Sequence, residues 1–130
     1  MKVIDVAVGV IKREQEIYIS KRAADLHQGG KWEFPGGKQE SGETSAQALT
    51  RELKEEVGIQ VIHIQDYMLI EHDYGDKCVR LHIQLVDKFS GEPTHLEGQI
   101  SRWVNIAQLT DFDFPAANVA IVAKLQQEFL

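Results

Sequence analysis

Residues 44–58 contain the local signals for a helix that begins and ends within the segment itself. Thr44 is suited to the N-cap position, and Gln47 three residues later can complete a capping box. Gly58 is suited to the left-handed position that follows the last helical residue. With 3.6 residues per turn, one apolar stripe is predicted to be buried, at Ala46, Leu49, Leu53 and Val57. The segment therefore predicts a helix whose buried face must be covered by another layer.

A different face of this helix carries Glu52, Glu55 and Glu56. Like charges spaced three and four residues apart oppose helix formation by a few tenths of a kcal/mol for each pair. A bound cation is a physical reason to retain them, and Mg²⁺ prefers hard oxygen ligands. The preceding Gly36 and Gly37 permit close backbone approach and can leave a carbonyl for a metal. Arg51 is expected to orient the carboxylates through ion pairs.

The rest of the chain predicts further elements around this helix. The patterns predict strands at residues 3–11, 16–21, 32–34, 61–66, 67–73, 78–89 and 100–104, with the fourth and fifth forming one strand broken in the middle. The first strand should have one heavily apolar face, and residues 35–37 should form a turn. A helical turn is predicted at residues 107–109. A last helix should start with Pro115 as its first residue and bury Val119, Ile121, Val122 and Leu125. This order predicts an α/β/α sandwich with a mixed β-sheet, in one domain over residues 1–130.

Composition narrows the classes of function. The net charge of −6 argues against a nucleic-acid polymer as partner, but metal ions could bring a small phosphorylated ligand to an acidic site. Cys78 has no second cysteine to pair with, which favours a reducing cytoplasm. No apolar stretch is long enough for a membrane span, and the acidic Asp5 argues against a signal peptide at the N-terminus. The four histidines His63, His72, His82 and His95 are interpreted as surface or strand residues.

The string from Gly37 through Glu43 and Arg51–Glu52 to Glu55–Glu56 and Ile59 resembles the Nudix box without a mismatch. The resemblance implies a Nudix-type α/β (α+β) fold, with a catalytic loop and helix followed by a C-terminal helix. It also implies hydrolysis of a nucleoside diphosphate linked to another group. Flanking strings resemble the branch of the family that hydrolyses 8-oxo-dGTP, at residues 6–10, 22–25, 33–38, 91–93, 97–99 with Trp103, and 113–118.

This resemblance implies roles for individual residues. Glu52 is expected to act as general base, although it could equally be a metal ligand, and Glu97 to assist the metal or water, with Arg51 supporting catalysis. Metal ligands are expected among Gly36, Glu52, Glu55, Glu56 and Glu97, with Mg²⁺ as cofactor and Mn²⁺ as a substitute. Substrate contacts are expected at Arg22, His27, Glu33, Phe34, Pro35, Gly36, Lys38 and Asn118. The Asn118 amide offers both a donor and an acceptor to a purine edge. Lys77 departs from the family branch, which has an arginine there, and this puts one closing contact in doubt.

The implied reaction is attack of water on the β-phosphorus, which releases a nucleoside monophosphate and pyrophosphate. The implied substrates are 8-oxo-dGTP, 8-oxo-GTP and, more weakly, dGTP and GTP, so that the nucleotide pool is cleared of oxidised guanine and mutation is prevented. Two alternatives stay open. The chain could hydrolyse another nucleotide, such as CTP, dCTP or dihydroneopterin triphosphate, or it could be a non-catalytic module that recognises oxidised guanine. We expect a monomer that binds a small nucleotide and no membrane.

Overall fold

A computed structural model describes residues 2–24 and 29–130, which form seven strands, two α-helices and a short 3₁₀ helix. The strands are β1 (Lys2–Arg13), β2 (Glu16–Lys21), β3 (Trp32–Glu33), β4 (Gly36–Lys38), β5 (Gln60–Asp73), β6 (Lys77–Ser90) and β7 (Ser101–Asn105). The helices are α1 (Ser45–Val57) and α2 (Ala116–Phe129), and the 3₁₀ helix is Ile106–Asp111.

Strand β1 organises a mixed sheet. It runs parallel to β6 over ten residue pairs, and β5 is antiparallel to β6 on the outer side. The other edge of β1 is shared, because β4 pairs antiparallel with residues 6–8 and β2 with residues 12–13. Strands β3 and β7 then pair with β2. The predicted mixed sheet is confirmed, although β5 is one continuous strand with register shifts rather than two broken pieces.

Helices cover both faces of this sheet, so the predicted α/β/α sandwich is confirmed. On one side, Ala7 and Ile11 of β1 pack in a cluster with Leu49 and Leu53 of α1. On the other side, Val8 and Val10 belong to the cluster that contains the 3₁₀ helix and α2. The expectation of one apolar face on the first strand was therefore incomplete. Gly9 lacks a side chain where Leu49 approaches, which lets α1 sit close to the strand.

The ends of α1 follow the local signals in the sequence. Thr44 accepts a hydrogen bond from the Gln47 backbone N–H, and Gln47 closes the capping box. Gly58 ends the helix with a φ of 73°, in the left-handed region. The buried face consists of Ala48, Leu49, Leu53 and Val57, so the prediction of Ala46 as its first member was wrong by two residues.

Helix α2 departs from the prediction in two ways. Pro115 is the N-cap rather than the first helical residue. Val119 is 56% exposed, whereas Ile121, Val122 and Leu125 are buried. At 100° per residue, Val119 lies about 160° around the helix from Ile121 and cannot share its buried face. None of the described helices has the length and apolar character needed to cross a membrane.

The predicted turn at residues 35–37 is wrong, because Gly36 and Gly37 belong to strand β4. Gly9 donates a backbone hydrogen bond of 2.7 Å to the Pro35 carbonyl, and Gly36 lies opposite Val8 in the ladder. A methyl group on Gly36 would overlap the backbone carbonyl oxygen of Ala7. The two glycines therefore serve close approach of two strands rather than chain reversal.

We predict that Gly36→Ala lowers the free energy of unfolding by about 2 kcal/mol or more, because the new methyl group meets backbone that cannot move aside. Gly37→Ala is the matched control, since its methyl group meets the end of the Glu52 side chain, which can rotate. Urea unfolding followed by circular dichroism gives both values. Equal unfolding midpoints for the two variants would contradict this packing argument.

Candidate active site

A pocket of about 440 Å³ opens where β4, the end of α1 and the start of α2 meet. It brings together seven of the residues predicted for the site, Arg22, Glu33, Phe34, Gly36, Lys38, Glu56 and Asn118. The other lining residues are Val6, Val8, Gly37, Tyr74, Leu81, Pro115 and Ala117. One end of the pocket is therefore acidic, and the other is formed by aromatic, aliphatic and amide groups.

Glu56 is the buried carboxylate at the acidic end, with only 14% of its side chain exposed. Its Oε2 accepts a hydrogen bond of 3.3 Å from the Gly36 N–H. The pKa of Glu56 is raised to about 7, mainly by burial and also by the negative charges of Glu33, Glu52 and Glu97, against the lowering effect of the Gly36 hydrogen bond. Four carboxylates thus share one region in which negative charge is incompletely compensated.

His95 also faces Glu56, which the sequence interpretation missed. It was expected to be a surface or strand residue, but it is buried and lies between β6 and β7 in an irregular segment. Its Nε2 lies 3.4 Å from Glu56 Oε1. Its position directly before Leu96 and the predicted Glu97 was the available signal, but nothing local indicates that this histidine points inward.

Arg51 connects the loop before α1 to the acidic face of that helix. Its Nε and Nη2 each donate to the Glu43 carboxylate at 2.9 Å, and its Nη1 donates to Glu52 Oε1 at 2.8 Å. Nη2 also donates to the Lys38 carbonyl at 3.2 Å. The hydrogen bonds from Arg51 and from the Glu40 N–H lower the pKa of Glu43 to about 2. Glu43 is thereby held as an anion that supports the loop, and Arg51 orients Glu52 as predicted from the sequence.

The Glu52 carboxylate lies directly against Gly37. A methyl group on Gly37 would lie 2.6 Å from both carboxylate oxygens. Glu52 is one-fifth exposed and lies behind β4, beside the pocket rather than among its lining residues. The second glycine of the pair is therefore needed to let this carboxylate approach the backbone of β4.

Glu55 and Glu97 are placed differently from the other predicted carboxylates. The Glu55 side chain is 63% exposed, with an oxygen 3.6 Å from Arg51 Nη1, and lines a hollow of about 810 Å³ on the outer face of α1. Glu97 is exposed in the segment that also contains His95. The structure thus groups Glu52, Glu56 and Glu97 electrostatically around the pocket, whereas Glu55 points to its outer side.

The donor groups at this end fit a hard divalent cation. Over residues 2–24 and 29–130, no three His, Cys, Asp or Glu side chains already converge on one point. The buried Glu56 nevertheless lies beside backbone of β4 and near three more carboxylates, whose mutual repulsion a cation would relieve. Carboxylate and carbonyl oxygens together with ligand phosphates are a usual ligand set for Mg²⁺.

The opposite end of the pocket is built on an aromatic pair. The rings of Phe34 and Phe114 are stacked, with centroids 5.2 Å apart and planes inclined by 11°. Asn118 lies in the first turn of α2 beside them and lines the pocket. Its side chain cannot close a capping box with the N-cap residue, because Pro115 has no N–H. Asn118 is therefore a pocket-lining residue rather than part of a helix cap.

Arg22 and Glu33 form the side wall. Arg22 Nη1 donates to Glu33 Oε2 at 2.7 Å, and the backbone of Arg22 is hydrogen-bonded to Lys31 and Gly30. Pro35 is buried, and its carbonyl accepts from Gly9, so it shapes the wall without lining it. Lys38 is exposed at the rim. The prediction for His27 lies outside the described residues.

Tyr74 is a further pocket residue that was not predicted. It lies in the turn between β5 and β6, packs on the His72 ring at a centroid distance of 4.3 Å and is itself largely exposed. Lys77 places its ammonium 5.6 Å from the centre of the Tyr74 ring. Lys77, which replaces the arginine of the family branch, thus lies near an aromatic ring that lines the pocket.

A family model described as NUDIX domain matches residues 6–124. The 8-oxo-dGTP diphosphatase of Escherichia coli is 45% identical over 98% of this chain and 99% of its own length. The CTP pyrophosphohydrolase of the same organism is 31% identical over 94% of this chain and 90% of its own. A solved structure of MutT, from work on Aliivibrio salmonicida and Vibrio cholerae, superposes with a TM-score of 0.89 and is 39% identical, covering 98% of this chain and all of the other.

We predict that the metal-free protein loses stability as the pH rises. The pKa of Glu56 is about 7 in the folded protein and near 4.5 in the unfolded chain, so between these values the unfolded state binds fewer protons. The free energy of unfolding should fall by roughly 3 kcal/mol because of Glu56 as the pH rises through this window.

Glu56→Gln should remove this component, so that with chelator present it is more stable than the wild type at pH 8 and the two converge near pH 4.5. Thermal unfolding across this range measures the difference. Glu55→Gln is the matched control on the same helix, because its side chain is mostly exposed. A constant difference between wild type and Glu56→Gln at all pH values would contradict the prediction.

Proposed function

This chain belongs to the NUDIX domain family, and we propose that it is a Mg²⁺-dependent pyrophosphohydrolase of 8-oxo-dGTP. Its substrates would include 8-oxo-GTP and, more weakly, dGTP and GTP. The observation that carries the proposal is the pocket itself, whose lining includes the buried Glu56, Asn118 and Phe34, with Phe34 stacked on Phe114 behind it. The similarity to a relative named 8-oxo-dGTP diphosphatase over nearly the full length of both chains supports the same substrate.

The proposed reaction is hydrolysis at the β-phosphorus. An oxygen–phosphorus bond forms between water and the β-phosphorus, and the bond from the β-phosphorus to the α–β bridging oxygen breaks. The bridging oxygen leaves with the nucleoside monophosphate, and the β- and γ-phosphoryl groups leave as pyrophosphate. Glu52 takes the proton of the attacking water in this proposal, and Arg51 keeps its carboxylate oriented through the 2.8 Å hydrogen bond.

The metal-holding residues would be Glu56, Glu52, Glu97 and the Gly36 carbonyl, with Glu55 turning inward to join them. Mg²⁺ bound by these groups would neutralise phosphate oxygens and acidify water, and Mn²⁺ could replace it. The protein contributes the burial of Glu56 and the support of Glu52 by Arg51 and Gly37. Lys38 at the rim would contact a phosphate, and the overall excess of acidic residues would be offset locally by the cation.

Base selection would come from the other end of the pocket. The Asn118 amide would donate to and accept from the edge of the oxidised purine, since a bidentate amide contact distinguishes purine edges well. Phe34 and the wall of Arg22 and Glu33 would bound the nucleoside, with Pro35 shaping the backbone behind them. Clearing 8-oxo-dGTP from the nucleotide pool in this way would prevent misincorporation during DNA replication.

We predict the order of kcat/KM with Mg²⁺ in a panel of triphosphates: highest for 8-oxo-dGTP, lower for dGTP, and lowest for dCTP and dihydroneopterin triphosphate. Ion-exchange chromatography of the products should show monophosphate and pyrophosphate rather than diphosphate and phosphate. A larger kcat/KM for dCTP would overturn the substrate assignment and favour an activity like that of the cytidine-nucleotide relative. Unchanged turnover in Glu52→Gln and Glu56→Gln would mean that residues 37–59, which resemble the Nudix box, do not form the active site.

In the same panel, Asn118→Ala should lower kcat/KM for 8-oxo-dGTP by roughly 10- to 100-fold, because a bidentate base contact contributes about 1–3 kcal/mol of discrimination. The loss should appear mainly in KM, and the preference over dGTP should shrink. Val119→Ala is the matched control, as it changes the next residue on the exposed side of α2. An unchanged preference in Asn118→Ala would show that the base is recognised elsewhere.

A further inference from the structure

The side chain of His95 is only 2% exposed and has polar neighbours at both ring nitrogens. It belongs to residues 94–98, which we term the acidic-loop segment because it carries Glu97. The proposed hydrolysis assigns no task to this histidine. A buried polar ring with two defined contacts calls for an explanation in its surroundings.

The acidic-loop segment is attached to the last turn of α1 by its backbone. Thr94 donates to the Val57 carbonyl at 3.1 Å, and Leu96 donates to the Glu56 carbonyl at 2.8 Å. These bonds satisfy two carbonyls at the helix end, where no further helical N–H groups are available. Residue 95 therefore projects from a fixed point directly beside Glu56.

The hydrogen bonds select one form of the imidazole. The Glu97 backbone N–H donates to His95 Nδ1 at 3.3 Å, so Nδ1 must offer its lone pair. The neutral ring then carries its proton on Nε2, and this nitrogen faces Glu56 Oε1 at 3.4 Å. The Gly36 N–H approaches the other oxygen, Oε2, at 3.3 Å. The carboxylate of Glu56 thus accepts a hydrogen bond from β4 at one oxygen and has the Nε2 of His95 close to the other.

We propose that His95 is a positioning residue that orients the Glu56 carboxylate and fixes its placement relative to Glu97. The proposal rests on the proposed function, in which both carboxylates serve the metal and water. Each oxygen of Glu56 has one of these two contacts, so removal of the imidazole takes away the polar neighbour of Oε1. His95 therefore acts through Glu56, in the same way as other residues that contact a metal-binding carboxylate and orient it.

Three substitutions separate the two contacts of the ring. The side-chain nitrogen of His95→Gln reaches the position of Nε2 and retains the donor to Glu56. The side-chain oxygen of His95→Asn takes the position of Nδ1 and retains the acceptor for the Glu97 N–H, but the chain is too short to reach Glu56. His95→Leu fills the space and makes neither contact. His63→Gln, at an exposed histidine on β5, is the control for histidine removal outside the site.

The experiment measures Mn²⁺ affinity of the nucleotide-free protein by isothermal titration calorimetry, together with kcat and KM for 8-oxo-dGTP. His95→Leu and His95→Asn should each weaken Mn²⁺ binding and lower kcat by 10- to 100-fold with little change in KM. His95→Gln should stay within about threefold of the wild type, and thermal unfolding of each variant checks that it folds. If His95→Leu fails to fold, the Mn²⁺ affinities and kcat values of His95→Gln and His95→Asn still test the proposal.

Equal Mn²⁺ affinity in His95→Gln and His95→Asn overturns the proposal. A higher kcat in His95→Asn than in His95→Gln also overturns it, because the role of His95 would then be only to accept the hydrogen bond from the Glu97 N–H. The titration uses no nucleotide and is independent of the substrate assignment. Failure of the wild type to hydrolyse 8-oxo-dGTP would overturn the proposed function but leave the Mn²⁺ comparison as a test of His95.

Discussion

The burial of the Glu56 carboxylate at the end of α1 is the constraint around which the site is arranged. A carboxylate with so little exposure, near Glu33, Glu52 and Glu97, is costly to ionise, and its pKa rises to about 7. The fold places the Gly36 N–H of β4 at one of its oxygens and the His95 ring at the other, and the described structure shows no lysine or arginine in an ion pair with it. This imbalance favours a site that is completed by a divalent cation and the phosphates that it binds.

Two glycines and one arginine support the arrangement around Glu56. Gly36 allows β4 to lie against β1, and Gly37 allows Glu52 to lie against β4. Arg51 donates hydrogen bonds to Glu43 and Glu52 and so keeps the loop and helix together. The supporting carboxylates Glu43 and Glu52 thus share an arginine, whereas Glu56 has no such partner in the described structure. The selectivity for a base is separate from this and depends on α2 and Phe34.

The sequence predicted well those features whose cause is local. The capping box of Thr44 and Gln47 and the stop at Gly58 involve neighbours in the chain, and they set α1 and its acidic face. Gly36 and Gly37 were misinterpreted as a turn, because their role depends on strand β1, almost 30 residues away. His95 and Tyr74 were missed for the same reason, since what they contact is decided by packing between distant segments. The site residues implied by family resemblance largely converge on one pocket, but Glu55 shows that a shared motif does not fix the direction of each side chain.

Glu56 lies in an environment that disfavours its charged form unless a cation is bound. Carbon-13 NMR of protein labelled at the glutamate side-chain carboxyl carbons, with Glu56 assigned through Glu56→Gln, measures its pKa directly. We predict a pKa of about 7 for Glu56 in the metal-free protein and a fall below its ordinary value of 4.5 when Mg²⁺ is added. A metal-free pKa near 4.5 that Mg²⁺ leaves unchanged would contradict it.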